Sequence, residues 1–230
     1  MKPLPILVLG KSGSGKSTAI RTLDPEETFI FNCGKKPLPF RGGFDLYREM
    51  REGKGNMYSK SAYKQIRLTL DFVNENRPDI KNIVFDDSHY LIISEFMRKH
   101  STDGKGSEIF NLYNQIADHF FFLIDDLEKL REDLFIFFLH HAERHEDGCM
   151  YPKTVGKMLN EKVDIPSLFT IVVYAVREGN QNFFITQNDG TTPAKSPDGM
   201  FGNTRITNDL QLIKTAAINY YRGVQNAKAE

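Results

Sequence analysis

Eight residues near the N-terminus, Gly10-Lys11-Ser12-Gly13-Ser14-Gly15-Lys16-Ser17, fit the pattern GxxxxGK[ST] in full. The glycines Gly10, Gly13 and Gly15 let backbone N–H groups, including those of Ser12 and Ser14, wrap a phosphate chain without Cβ clashes. A helix N-terminus following the loop adds partial positive charge at that point. Lys16 is predicted to reach the β- and γ-phosphates, Ser17 to ligate Mg²⁺ and Thr18 to sit beside the α-phosphate. ATP and Mg²⁺ are the cofactors this chemistry calls for. The other reading, a Gly/Ser-rich turn that matches by chance, is disfavoured by the context: an apolar run (Pro5 to Leu9) precedes the loop and a helical stretch (Lys16 to Leu23) follows.

Two further groups bear on the same chemistry. Asn82-Ile83-Val84-Phe85-Asp86-Asp87 reads as an apolar strand ending in acid, the arrangement of a Walker B element. A carboxylate there can hold Mg²⁺, usually through water, and Asp86 is the candidate. Asp87 either polarises the attacking water or merely opens the next helix as a cap or surface residue; both readings stand. Leu134-Phe135-Ile136-Phe137-Phe138-Leu139-His140-His141 places histidines at the tip of a core strand. Either can sense a γ-phosphate, or be satisfied by neighbours. His141 and His145 are spaced i,i+4, with Glu143 and Glu146 nearby, but no third ligand is evident and a dedicated zinc site is not expected.

Lys195, in Ala194-Lys195-Ser196-Pro197-Asp198-Gly199-Met200-Phe201, can reach a γ-phosphate across a subunit interface like an arginine finger, or can be an exposed loop lysine. Residues 35–67 carry nine basic and three acidic groups, interleaved with Phe40, Phe44, Tyr47, Tyr58 and Tyr63. That mixture suits single-stranded DNA, whose bases stack and whose phosphates pair. It equally suits a solvated loop whose rings pack back onto the core.

The elements that must position these groups follow from periodicity. Strands are expected at Pro5 to Leu9, Thr28 to Cys33, Ile83 to Phe85 and Leu134 to Leu139, the last a central strand covered on both faces. Helices are expected over Ser61 to Asn76, Ser88 to Lys99 and Glu108 to Glu132, the last with Phe110, Tyr113, Ala117, Phe120, Ile124 and Leu127 on one face. His100 to Ser107 reads as a loop, and residues 35–60 as a long loop or insertion. Phe169 to Val176 and Asn182 to Thr186 read as a hairpin, and about Thr207 to Arg222 as a closing helix. Alternating strands and helices imply an α/β fold with a mostly parallel sheet and late antiparallel strands. A single domain over 1–230 is the expectation.

The chain has 230 residues, 30 Lys+Arg against 30 Asp+Glu, 40% hydrophobic and 26% charged residues. That excludes a disordered chain, a collagen-like chain and a disulfide scaffold, and argues against coating nucleic acid by bulk charge. The zero balance hides segregation, from +6 over residues 35–67 to −9 over 71–147. No apolar run approaches the roughly 20 residues of a membrane span, and Ile6 to Leu9 is too short for a signal-peptide core. Cys33 and Cys149 form no CxxC and read as reduced thiols of a cytoplasmic protein.

The order GKSGSGKS, IVFDD, FFLHHAER, a hairpin and AKSPDGMF resembles the small RecA-like, AAA-family ATP-binding proteins of bacteriophages, over most of residues 4–205. Some of these are implicated in recombination and single-strand annealing. The resemblance implies a RecA-like P-loop NTPase fold, nucleotide binding by Gly15, Lys16, Ser17 and Thr18, magnesium at Asp86 and sensing at His141. It also implies a homo-oligomer, placed in the host cytoplasm if the chain is phage-encoded. The sequence departs at one point: RecA-like ATPases put a glutamate soon after the second strand, and Phe31-Asn32-Cys33-Gly34-Lys35-Lys36 holds no acid. Either Asp87 substitutes, or ATP acts mainly as a conformational ligand. Three functions follow: an ATPase acting on DNA, a nucleotide-gated binding module with little hydrolysis, and a small nucleotide kinase. The kinase reading lacks a compact Arg-rich lid, since the arginines are scattered.

Overall fold

The apolar runs become strands because each must bury side chains on both faces. In the computed structural model, described over residues 2–103, 108–155 and 162–223, the strands are β1 (Leu4–Gly10), β2 (Thr28–Asn32), β3 (Met57–Tyr58), β4 (Asn82–Asp86), β5 (Phe135–Arg144), β6 (Met150–Pro152), β7 (Ile171–Glu178), β8 (Gln181–Ile185) and β9 (Arg205–Thr207). The helices are α1 (Gly43–Leu46), α2 (Tyr63–Asn76), α3 (His89–Asp103), α4 (Glu108–Asp125) and α5 (Leu210–Arg222). The sheet runs β3-β2-β4-β5-β1-β7-β8-β9, with β6 on the far end of β5. Pairing is parallel from β3 to β7 and antiparallel at β8 and β9. The mixed α/β architecture with a mostly parallel sheet and a late hairpin is therefore as the sequence predicts.

Alternation along each strand divides the core in two. Leu7, Leu9, Phe31, Phe85 and Phe138 face the layer formed by α2, α3 and α4. Ile6, Val8, Val84, Phe137 and Val173 face the layer of Ala19, Ile20 and α5, where Leu210, Ile213 and Ala217 are fully buried. Phe31, Phe85 and Phe138 sit in register on neighbouring strands, their rings stacked at 4.6 and 4.5 Å. Because Phe85 is fully buried in the middle of that stack, Phe85→Ala is expected to cost about 3–5 kcal/mol. Denaturant unfolding measures it, and a loss under 1 kcal/mol would contradict this packing.

Several expectations need correction. The helix expected over Lys16 to Leu23 forms over the six residues Ser17–Thr22 and is 3₁₀, with Thr22 Oγ accepting from Leu210 N at 3.0 Å. Residues 35–60 are not structureless: they hold α1 and β3, and Asn56 donates to Pro25 O at 2.9 Å, tying the segment to the body. The helix expected to end at Lys99 runs to Asp103, into the expected loop, of which residues 104–107 lie outside the described residues. The helix from Glu108 stops at Asp125, with a 3₁₀ turn over Asp126–Lys129. Its buried face is Leu112, Ile116, Ala117, Phe120, Leu123 and Ile124, whereas Phe110 is 56% exposed. The closing helix begins at Leu210, because the Asp209 carboxylate accepts from Leu212 N at 2.9 Å and caps it, while Thr207 belongs to β9.

Candidate functional site

Parallel register brings one end of the central strands to a common edge. Gly10 ends β1 opposite His141 of β5 and Ala175 of β7, and Asp86 ends β4 opposite Asn32 of β2. Open parallel sheets bind ligands outside these carboxyl ends, and the glycine loop emerges there. Gly10 has no room for a side chain: a Cβ would lie 2.6 Å from Ser14 Oγ and 2.8 Å from Ala175 O. Gly13 and Gly15 take positive φ, 76° and 91°, which glycine alone adopts freely.

Lys16 is 5% exposed, and its Nζ donates to Gly10 O at 2.8 Å and Lys11 O at 2.9 Å. Among the described residues no carboxylate forms an ion pair with it. Burial pulls its pKa down to about 8, against the attraction of Asp87 and Asp86. A buried ammonium held only by carbonyls suits an anion such as a phosphate. The Ser17 hydroxyl donates to Asp86 Oδ1 at 2.6 Å. Burial, then the neighbouring Asp87, raises Asp86 to about 6. A serine hydroxyl joined to a buried carboxylate that is short of positive charge is a fitting oxygen pair for Mg²⁺. Ser14 Oγ is also buried without a partner. The residues present therefore fit a nucleotide phosphate chain and its cation.

Asp87 does not cap α3; it turns into the cleft. Its backbone is left-handed at φ 57°, and Gly34 leaves it space, since a Cβ there would lie 2.7 Å from Asp87 Oδ2. Lys36 Nζ donates to Asp87 Oδ2 at 2.9 Å, and His141 Nε2 to Oδ1 at 3.0 Å. Burial opposes ionisation of Asp87, but the bonds from His141 and Lys36 prevail and hold it well below the usual carboxylate range. The two histidines separate. His140 is fully buried, between Ser88 Oγ and Lys153 O at 3.0 Å each, and burial lowers it to about 4. His141 lines the cleft.

Residues 12–18, Lys36, Asp86, Asp87, His141 and Asn182 enclose a cavity of about 230 Å³. Ser12, Gly13 and Ser14 also border a larger cleft of about 670 Å³, with Lys11, Arg144 and Arg177. Lys195 is not in either. It is exposed, and its backbone pairs with Val172, three residues before the Ala175 that faces Gly10. His145 rests on the Tyr151 ring, 4.3 Å away, with Glu143 at 3.7 Å. In the basic segment, Tyr47 is buried, Phe40 lies against it at 6.3 Å, Tyr58 lies 6.3 Å from Phe31, and Tyr63 stacks on His119 at 4.4 Å. Phe44 is the one ring of the five that stays out, 74% exposed.

A family model described as an AAA domain matches residues 2–197. The chain belongs to the AAA domain family. No curated protein matches the sequence. AAA membership carries nucleotide binding and ATPase activity in general terms. Among the described residues of this AAA domain, no helix is long and apolar enough to cross a membrane.

Two residues that line the cavity carry no direct signal of it in the sequence, Lys36 and Asn182. Lys36 lay in a segment read for DNA, and its partner is 51 positions away. Asn182 belongs to the hairpin strand β8, and its carboxamide would be 2.7 Å from a Cβ on Gly15. The absent glutamate was the available signal for Lys36, because it marked the exit of β2 as altered.

Proposed function

We propose that this AAA domain is a Mg²⁺-dependent ATPase that works as a homo-oligomer on single-stranded DNA, in the recombination or replication of a phage. The observation that carries the hydrolytic part is the cluster Lys16, Ser17–Asp86 and Asp87 on one edge of the sheet. Bound Mg²⁺ supplies charge neutralisation along the phosphates. Lys16 binds the terminal phosphates with its buried ammonium. Ser17 and Asp86 hold the cation. Asp87 orients water, and His141, hydrogen-bonded to it, reports the state of the phosphate end. Lys195, exposed on its own subunit, is offered to a neighbour's site. The test is ATPase activity with and without single-stranded DNA; no nucleotide binding, or indifference to DNA at low salt, would sink it.

The DNA part is supported by the excess of positive charge over residues 35–67, where Phe44, Arg48 and Arg51 are all exposed. Reversing both charges is expected to weaken DNA binding by about tenfold or more at low salt, because each phosphate contact releases counterions. Nucleotide binding should be unchanged, since neither residue lines the phosphate cleft. Fluorescence anisotropy of a labelled oligonucleotide reads this. The same reversal at Arg144 and Arg177 is the control. If only that pair matters, the DNA surface is the larger cleft and not residues 35–67.

A second reading, the nucleotide-gated module with little turnover, is favoured by one observation. Asp87 is already engaged on both oxygens, by Lys36 and His141. Tight ATP binding without turnover would decide for it.

A further inference from the structure

Asp87 and His141, which line the phosphate cavity, meet there a third donor, His89, that the nucleotide chemistry does not use. Asp87, His89 and His141 each place one ligand atom within 4.8 Å of the other two. The His89 and His141 rings are 4.2 Å apart. His89 is 4% exposed, and its Nδ1 is buried without a hydrogen-bond partner. Buried polar atoms in native proteins almost always have one. The neighbouring His140 shows the contrast, with both ring nitrogens satisfied by Ser88 and Lys153.

We propose that Asp87, His89 and His141 form a binding site for a divalent transition-metal ion, Zn²⁺ foremost, separate from the Ser17–Asp86 pair. Two imidazole nitrogens and one carboxylate oxygen make up a donor set that suits zinc, manganese or cobalt and not magnesium, which takes oxygen. The contact between His141 Nε2 and Asp87 Oδ1, 3.0 Å, is now bridged by a proton. An ion would take that proton's place and draw in His89. Lys36 would stay on Oδ2 as the outer partner that orients the carboxylate. Asp87 is held for this role in a left-handed backbone that non-glycine residues rarely adopt, at φ 57°. Three protein ligands leave a fourth position for water, as catalytic zinc sites do. Since Asp87 and His141 also line the phosphate cavity, that water would stand beside the phosphates. This last consequence rests on the nucleotide reading; the metal site itself does not.

The test uses the full chain, stripped with chelator and free of nucleotide, titrated with Co²⁺ in excess Mg²⁺. Magnesium occupies oxygen-only sites, and cobalt on mixed nitrogen and oxygen ligands with four-coordinate geometry absorbs strongly in the visible. Wild type is expected to develop such a band, saturating at one equivalent and bleached by Zn²⁺. His89→Ala and His141→Ala should each raise the cobalt dissociation constant at least about tenfold. Ser17→Ala and His145→Ala should leave it unchanged. Circular dichroism reports whether each variant folds. If the buried His89 tolerates no replacement, His141→Ala at the cleft surface carries the decision. No cobalt band in wild type, a band that survives His141→Ala, or a band lost in His145→Ala overturns the proposal. Nucleotide binding measured on the same sample separates failure of the metal site from failure of the ATPase reading.

Discussion

Lys16→Ala is expected to abolish ATP turnover while leaving the fold as stable as before, or more so. Lys16 is 5% exposed, and its ammonium bonds two carbonyl oxygens and, among the described residues, pairs with no carboxylate. Burial depresses its pKa to about 8, so the folded protein disfavours the charged form. Removing a charge that burial penalises relieves that cost. The same charge is the group that meets phosphate. Losing one preorganised electrostatic contact in a transition state costs on the order of 10²–10³ in rate, and phosphoryl transfer depends on little else than positioning and charge. Steady-state ATPase and a thermal melt on wild type and Lys16→Ala check both halves. Turnover within tenfold of wild type would remove Lys16 from the site. A melting temperature well below wild type would mean that Lys16 is structural.

The fold was legible where a single physical rule acted on contiguous residues. The runs LPILVLG, NIVFD and FIFFL must be covered on both sides, so they became β1, β4 and the core of β5. The loop at residues 10–17 was legible because backbone wrapping demands glycines at fixed spacing. The rest was decided by contacts across long stretches of chain. The helix after the glycine loop takes the 3₁₀ form over Ser17–Thr22, and its Thr22 Oγ meets Leu210 N, 188 positions away. Four aromatics in the basic segment read as candidates to stack on bases, and pack against β2, His119 or each other instead. Lys36 is the plainest case. In sequence it was one charge among nine. Parallel pairing of β2 with β4 brings the exit of one strand to the exit of the other, and Lys36 meets Asp87. The place where the resemblance calls for a glutamate thus carries a lysine bound to the acid that would replace it.

That pairing makes Asp87→Asn the decisive measurement on mechanism. Asparagine keeps the size of the side chain and can still accept from His141 at Oδ1, where the bond is 3.0 Å. Only the negative charge goes, and with it the ion pair to Lys36. The Lys36 side chain is 55% exposed, so its ammonium stays hydrated, but Asp87 is buried and loses a charge-assisted bond, which costs the fold about 1.5–3 kcal/mol. ATP affinity is expected to hold or rise, because one negative charge beside the phosphates is gone while Lys16, Ser17 and Asp86 are intact. Turnover is expected to fall by about 10² or more, the contribution of a positioned group that handles the attacking water. Single-turnover hydrolysis, with binding measured separately, distinguishes the two effects. Lys36→Met gives the complement: it releases Asp87 Oδ2 without touching the carboxylate. If Asp87 acts on water and Lys36 restrains it, Lys36→Met turns over at least as fast as wild type. If Lys36 itself contacts phosphate, turnover falls and ATP affinity falls with it. Unchanged hydrolysis in Asp87→Asn would assign the water to another group. Tight ATP binding without turnover in wild type would make the Lys36–Asp87–His141 chain the resting lock of a nucleotide-gated module.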